Sequence, residues 1–201
     1  MNPEQNINRE IELKIEITEE IYTSLIKQFP IIRNELQENY FFDTENRILN
    51  SNFWALRIRF QEGKAFLTAK GPKIIQSDEQ IRPEYEVELP LDVGKKMQNG
   101  IELDKGLYPP INILYEKFGK ILLLPLLSFT NQRIYIAWKQ WILEIDKTCI
   151  GAKIFYELEI EAAIDTISSL KTEVMDFFAF HNWELKYSKS DKFSRAVKIL
   201  L

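Results

Sequence analysis

The stretch Arg9-Glu10-Ile11-Glu12-Leu13-Lys14-Ile15-Glu16-Ile17 alternates charged and apolar residues without a break from Glu10 onward. In an extended chain successive side chains point to opposite faces, so Ile11, Leu13, Ile15 and Ile17 share one side and Glu10, Glu12, Lys14 and Glu16 the other. Near the other end, Phe155 to Ala162 repeats the pattern, with Glu157, Glu159 and Glu161 opposite Tyr156, Leu158 and Ile160. Two strands of this kind, far apart in sequence, predict a sheet with one apolar and one charged face.

Working outward, the same period of two appears at Leu36 to Thr44, Trp54 to Phe60, Lys64 to Lys70, Ile81 to Leu89, Asn131 to Trp138 and Trp141 to Lys147, which makes eight expected strands. Gln61-Glu62-Gly63-Lys64 suits a hairpin turn, and Ala137 to Gln140 a second tight connection. Helical spacing falls between them. Thr18 is a fitting N-cap for a helix carrying Ile21, Leu25 and Phe29, and Pro110 to Ile121 reads as a second helix. Asp165 is placed as the cap of a third, with Leu170, Val174, Phe177 and Phe178 on its apolar face. Ser190 is placed as the cap of a last one from about Asp191 to Leu200, with Phe193, Val197 and Leu200 inward. No linker or internal repeat stands out, so residues 1–201 are expected to form a single domain.

The charged positions are not mixed at random. Arg57 and Arg59 share a face, as do Arg82, Glu84, Glu86 and Glu88; Lys70 ends the fourth strand, Arg133 lies on the sixth, and Glu144 and Asp146 on the seventh. A half-solvated sheet could carry such a face simply wet. Rows of one sign are less comfortable, because neighbouring carboxylates raise each other's pKa and resist joint ionisation. A divalent cation relieves the acidic rows and a polyanion the basic ones. Closing the sheet, with charged faces inward and apolar faces outward under the helices, brings both into one interior. Hard carboxylate oxygens suit Mg²⁺ or Mn²⁺, and planar guanidinium groups match phosphate oxygens in pairs.

Composition removes several alternatives. Lys and Arg number 26 against 30 Asp and Glu, a formal charge of −4, which lacks the basic excess of a general nucleic-acid binder. One cysteine, Cys149, and one histidine, His181, exclude a disulfide framework and Cys/His zinc sites. His181 lies in Phe180-His181-Asn182-Trp183 with no nucleophile motif nearby and reads as structural. The glycines form neither of the common phosphate-cradling loops, so side chains must hold any phosphate. Residues Met1 to Asn6 show no secretory pattern, and the longest apolar run, Ile121 to Leu127 with Pro125 inside, falls far short of the ~20 residues that cross a bilayer. A cytoplasmic protein is expected, with a small-molecule partner and neither nucleic acid nor membrane as target.

The ordered set Glu10-Ile11-Glu12-Leu13-Lys14, Asn39-Tyr40-Phe41-Phe42-Asp43-Thr44, Leu56-Arg57-Ile58-Arg59, Leu67-Thr68-Ala69-Lys70, Glu84-Tyr85-Glu86, Arg133, Leu143-Glu144-Ile145-Asp146, Tyr156-Glu157-Leu158-Glu159-Ile160-Glu161 and Ser190-Asp191-Lys192-Phe193-Ser194-Arg195 resembles the CYTH domain, or triphosphate tunnel metalloenzyme, superfamily. The resemblance implies an α+β fold in which an eight-stranded antiparallel β-tunnel, a closed barrel with a charged interior, is flanked by helices. It implies a metal-dependent triphosphatase with Mg²⁺ or Mn²⁺ as cofactor, acting on the terminal phosphoryl group of tripolyphosphate or of an organic or nucleoside triphosphate. Cyclisation of ATP and non-catalytic polyphosphate or nucleotide binding are the alternatives. By position, Glu10, Glu12, Glu157 and Glu159 correspond to the metal-side carboxylates, with Asp146 and Glu86 in support. Lys14, Arg57, Arg59, Lys70, Arg82, Arg133 and Lys192 correspond to phosphate contacts. The catalytic set is then Glu10, Glu12, Lys14, Arg57, Arg59, Glu157 and Glu159, with Glu157 or Glu159 as acceptor of the attacking water's proton. One departure stands out: some relatives carry a lysine two residues before the sixth-strand arginine, where this chain has Asn131.

Overall fold

The computed structural model describes residues 10–72, 74–76, 79–81, 83–106, 108–163 and 165–201, with the backbone alone for Glu10, Ile11, 74–76 and 79–81. The chain opens with β1 (Glu10–Ile17), α1 (Glu19–Gln28) and β2 (Ile31–Asp43). It continues through α2 (Ile48–Ser51), β3 (Ala55–Gln61), β4 (Lys64–Lys70), β5 (Ile74–Gln76), β6 (Glu79–Ile81), β7 (Glu84–Leu89), α3 (Leu91–Met97), β8 (Ile101–Glu102) and α4 (Pro109–Phe118). The last third holds β9 (Leu122–Trp138), β10 (Trp141–Ile150), β11 (Lys153–Ala163), α5 (Ile167–Phe180), β12 (Lys186–Tyr187) and α6 (Lys192–Leu200). Two compact units result: residues up to 36 with 130–201, and residues 37–129. The strands β2 and β9 run through both.

In the first unit the strand order is β12-β1-β11-β10-β9-β2, with antiparallel pairing. Alternation works as the sequence predicts. Leu13, Ile15, Ile17, Ile134, Ile136, Leu143, Ile145, Leu158 and Ile160 are buried on one face under Ile21, Tyr22 and Leu25 of α1 and Leu170, Val174 and Phe178 of α5. Each such aliphatic side chain removed from water stabilises the fold by about 1.5–3 kcal/mol. The hydroxyl of Thr18 accepts the Ile21 amide at 3.3 Å, and Glu19 and Glu20 occupy the positive first turn of α1. His181 lies against Trp183, ring centroids 4.4 Å apart, and Phe177, at 4.8 Å, as a packed aromatic.

In the second unit β2-β3-β4-β7 form an antiparallel meander, and β8 pairs with the first part of β9. Its core joins Leu56, Ile58, Leu67 and Leu89 to Ile111 and Leu114 of α4. The expected hairpin turn between β3 and β4 has φ of 48° at Glu62 and 75° at Gly63, the left-handed pair that a two-residue turn between twisted strands requires.

Several expectations are corrected. The pairing order ends at β12 and β7 and does not close on itself, so the described strands make an open antiparallel path of nine, with β8 paired to β9 off that path, rather than a closed eight-stranded barrel. One reason is local: Lys186 and Tyr187 pair with Glu16 and Ile15, occupying the outer edge of β1 at that end. β9 begins nine residues before its expected start, because the continuous apolar run around Pro125 hides the alternation. Asp191, not Ser190, caps α6, its carboxylate accepting the Ser194 amide at 2.7 Å, and Ala196 is the buried residue of that helix while Leu200 is 39% exposed. Thr166 precedes α5 in place of the expected Asp165 cap. Among the described residues no helix is long and apolar enough to cross a membrane.

Candidate functional site

Opposite the apolar face of the first unit lies a charged face built by register. Asp146 pairs across strands with Arg133 on one side and Glu157 on the other; Glu144 pairs with Tyr135 and Glu159, and Lys14 with Glu159. The helix α6 adds two cations from the chain end. Lys192 and Arg195 are three residues apart and so share a helix face. The Lys192 ammonium contacts Glu159 and lies 2.7 Å from Asp146 and 3.4 Å from Glu157, while Arg195 reaches Glu157 at 2.8 Å.

Arg133 is the hub. Its guanidinium grips Asp146 with two parallel bonds of 2.8 and 2.7 Å and also contacts Glu144 and Glu159. Asp146 is fully buried and each of its oxygens meets two donors: Oδ1 accepts from Asn131 at 2.8 Å and from Arg133, Oδ2 from Arg133 and Lys192. Behind it, the Thr148 hydroxyl donates to Asn131 Oδ1 at 2.7 Å. The polar chain Thr148–Asn131–Asp146 is thus buried and satisfied, which fixes where Arg133 and Lys192 point.

This crowding sorts the carboxylates. Against their burial, Lys192, Lys14 and Arg133 hold Glu159 well below the usual carboxylate range. Lys192 and Arg133 also lower Asp146, and Arg195 and Lys192 lower Glu157, each against burial. At the edges the sign reverses. Burial, then the charge of Glu159, pushes Glu12 up to about 7 against Lys14, and burial raises Glu144 against Arg133. The surrounding carboxylates in turn raise Lys192 despite its burial.

Glu12 Oε1 and Glu159 Oε1 each lie 2.7 Å from the Lys14 ammonium, so both oxygens already converge on one cation-sized seat. Among the described residues no three Asp, Glu, His or Cys side chains form a ready metal cage. Mg²⁺ commonly uses only one or two carboxylates together with substrate phosphates, and the Glu12–Glu159 pair fits that demand. Glu157 Oε2, buried and without a hydrogen bond, is a further acceptor with spare capacity beside them.

The second unit carries its own charged face. Arg57 donates to Thr68 at 3.0 Å and pairs with Glu86 at 3.4 Å, and the Thr68 hydroxyl donates to Glu86 at 2.7 Å. Lys70 pairs with Glu84 at 2.7 Å, holding that carboxylate below its usual range against burial, and Arg59 Nε donates to Asn39 at 3.0 Å.

The structure therefore gathers Glu12, Lys14, Arg133, Asp146, Glu157, Glu159 and Lys192 in one unit, and Arg57, Arg59, Lys70 and Glu86 in the other. Arg82 and the Glu10 side chain lie outside the described residues. Sequence reasoning missed Arg195, Thr148 and Asn131 as members of the first cluster, and Thr68 and Asn39 of the second. Arg195 was within reach, since its spacing from Lys192 puts both on one helix face; Thr148 and Asn131 carry no such signal.

The CYTH domain family model matches residues 8–197, and the chain belongs to the CYTH domain family. A Methanocaldococcus jannaschii protein whose name proposes adenylate cyclase activity is 32% identical over 116 residues, 57% of this chain, and the chain spans 65% of that protein's length. Among solved structures, an adenylyl cyclase candidate from Hippeastrum, described as having a dominant triphosphatase activity, superposes with a TM-score of 0.79 at 25% identity, covering 96% of this chain and 97% of its own. An adenylate cyclase candidate from Bacillus halodurans shares the fold at a TM-score of 0.72 and 20% identity, covering 92% of this chain and 96% of its own.

Proposed function

We propose that this chain is a divalent-metal-dependent triphosphatase that cleaves the terminal phosphoryl group of a short polyphosphate or organic triphosphate. The observation that carries the reading is the face where Glu12 and Glu159 share one cation seat beside Arg133 and Lys192. An anionic edge for a metal next to fixed cations for phosphate is what a metal-bound phosphate chain requires. Family membership and the activity described for the Hippeastrum protein support it.

In this reading Glu12 and Glu159 would hold Mg²⁺ or Mn²⁺, with Glu157 near them and Glu10 assigned to the same role by its place in the sequence alone. An ion held there would supply positive charge for phosphate oxygens and acidify water. Lys14, which contacts Glu12 and Glu159, would be a phosphate contact. Arg133 and Lys192 absorb charge on the phosphoryl oxygens, held in place by Asp146, which acts as their anchor and not as a metal ligand. On the second unit, the family resemblance assigns Arg57, Arg59 and Lys70, and Arg82 by sequence position, to phosphate binding, and Glu86 orients Arg57 through Thr68. Glu157 and Glu159 are held below the usual carboxylate range while burial raises Glu144, so Glu144 is the carboxylate better matched to take the proton from the attacking water.

The test is phosphate release from tripolyphosphate, thiamine triphosphate and nucleoside triphosphates with Mg²⁺ or Mn²⁺, before and after chelation. Metal-stimulated orthophosphate from at least one is expected. Cyclic AMP with pyrophosphate from ATP would instead establish the cyclase reading that the Methanocaldococcus relative's name suggests. Stoichiometric binding with no product under either metal would mark a non-catalytic module.

A further inference from the structure

Glu157 is held by one oxygen only. Its side chain is 2% exposed, and Oε1 accepts from Arg195 Nη2 at 2.8 Å and from the Ser188 hydroxyl at 2.9 Å, while Oε2 is buried without a hydrogen bond. Oε2 lies 3.4 Å from the Lys192 ammonium, which also contacts Glu159 Oε1, the oxygen shared with Lys14. One saturated oxygen and one open one define a carboxylate whose orientation is set from behind. A buried acceptor without a donor is costly, so the fold must hold this arrangement against an easier one.

The groups behind Glu157 are themselves anchored. β12 pairs with β1, and the Ser188 amide extends that pairing by donating to the Lys14 carbonyl oxygen at 2.9 Å. Ser188 Oγ also lies 3.0 Å from the Ser190 carbonyl oxygen and accepts from Arg195 Nη2 at 3.4 Å, which closes a small ring of Arg195, Ser188 and Glu157. The Arg195 guanidinium sits 4.8 Å from the centre of the Phe155 ring, two residues before Glu157 on β11 and so on the same face, with 11% of the arginine side chain exposed. Arg195 therefore meets the carboxylate cluster through Glu157.

We infer that Arg195, with Ser188, is a positioning residue: it pins Glu157 Oε1 so that Oε2 is turned toward Lys192 and Glu159 as an acceptor for the divalent cation. The inference rests on the metal site of the proposed function and gives Arg195 no contact with substrate. Charge makes it testable by sign. A guanidinium acting through its charge alone repels a divalent cation, so its removal would tighten metal binding. One that orients a carboxylate does the opposite, and losing such an outer partner weakens metal binding about 10- to 100-fold.

Mn²⁺ alone is the probe, its free fraction read by electron paramagnetic resonance on the full chain, with folding checked by circular dichroism. Arg195→Met should raise the Mn²⁺ Kd about tenfold, and Ser188→Ala by a smaller factor. Glu157→Gln should raise it as well, and adding Arg195→Met to that variant should change nothing further, because the two residues act as one unit. If Arg195→Met does not fold, Arg195→Lys, which keeps the charge and loses the fork, carries the same cycle. A Kd unchanged or lowered in the arginine variant overturns the inference, as does a tenfold loss that persists beside Glu157→Gln, or a parent protein that binds no Mn²⁺. Weaker binding of tripolyphosphate without metal, at an unchanged Mn²⁺ Kd, would make Arg195 a phosphate contact instead. A parent that binds Mn²⁺ and releases no phosphate removes the triphosphatase reading, while the cycle still decides the role of Arg195.

Discussion

The charged faces of the two units are built from the same residue types and behave differently. In the first unit, Asp146, Glu157 and Glu159 are almost wholly enclosed, and their cations come from β1, β9 and α6, separated by long stretches of chain. In the second, the pairs join strands of one meander, and the carboxylates Glu84 and Glu86 remain more than 40% exposed. Enclosure makes the first cluster a set of mutually dependent charges, each unaffordable without the others, while solvent screens the second. The first is thus organised before any ligand arrives, and the second is free to adjust to one.

The largest expected difference is in stability. Lys192→Met leaves three enclosed carboxylates short of a cation and should cost about 3–5 kcal/mol, whereas Lys70→Met, on a partly exposed pair, should cost less than about 1 kcal/mol. Denaturant melts of both variants measure this, and equal losses would end the contrast. Activity should divide differently. Glu12→Gln should lower metal-stimulated phosphate release about 100-fold, comparable to losing a main electrostatic stabiliser, while Glu86→Gln, acting through Arg57, should mainly raise KM. A Glu86→Gln enzyme that needs far more metal would move the metal seat to the second unit.

Next in size is the buried polar chain. Thr148→Val removes the hydroxyl that donates to the Asn131 carbonyl oxygen and should cost about 1–3 kcal/mol, raising KM as Arg133 loses its alignment; Thr148→Ser should restore both. A normal KM in the valine variant would show that Arg133 needs no bracing.

The smallest effect is in the pH profile of stability. For Asp146, Glu157 and Glu159, held low, the unfolded chain binds more protons on the acid side. Their contribution is present above the ordinary carboxylate pKa and is lost as pH falls through the lowered values. Glu12, raised to about 7, has the opposite sign: the folded protein keeps its proton between about 4.5 and 7, so stability declines as pH rises through that window. Glu12→Gln should therefore flatten the fall in melting temperature between pH 5 and pH 8. An unchanged slope would show that Glu12 titrates normally.

Legibility in sequence followed the range of the interaction. The strand rows were readable because alternation is a local property: Glu10 to Ile17 and Phe155 to Ala162 show their two faces residue by residue. The placement of Lys192 on Asp146 was not, since no periodicity links a helix near the chain end to a strand 46 residues earlier. Asn131 looked like a missing lysine, and only its bonds to Thr148 and Asp146 reveal a brace.

What the residues determined unaided is the set of groups available for chemistry: strands with one face of acids and bases, no histidine or cysteine constellation, and no glycine cradle, which leaves carboxylates and guanidinium groups as the functional side chains. The tertiary structure alone decided which charges are enclosed, which cation satisfies which carboxylate, and that Glu12 and Glu159 converge on one seat. Side-chain type is written in the chain, but burial and the distances between charges set their energies, and those exist only once the strands and α6 have come together.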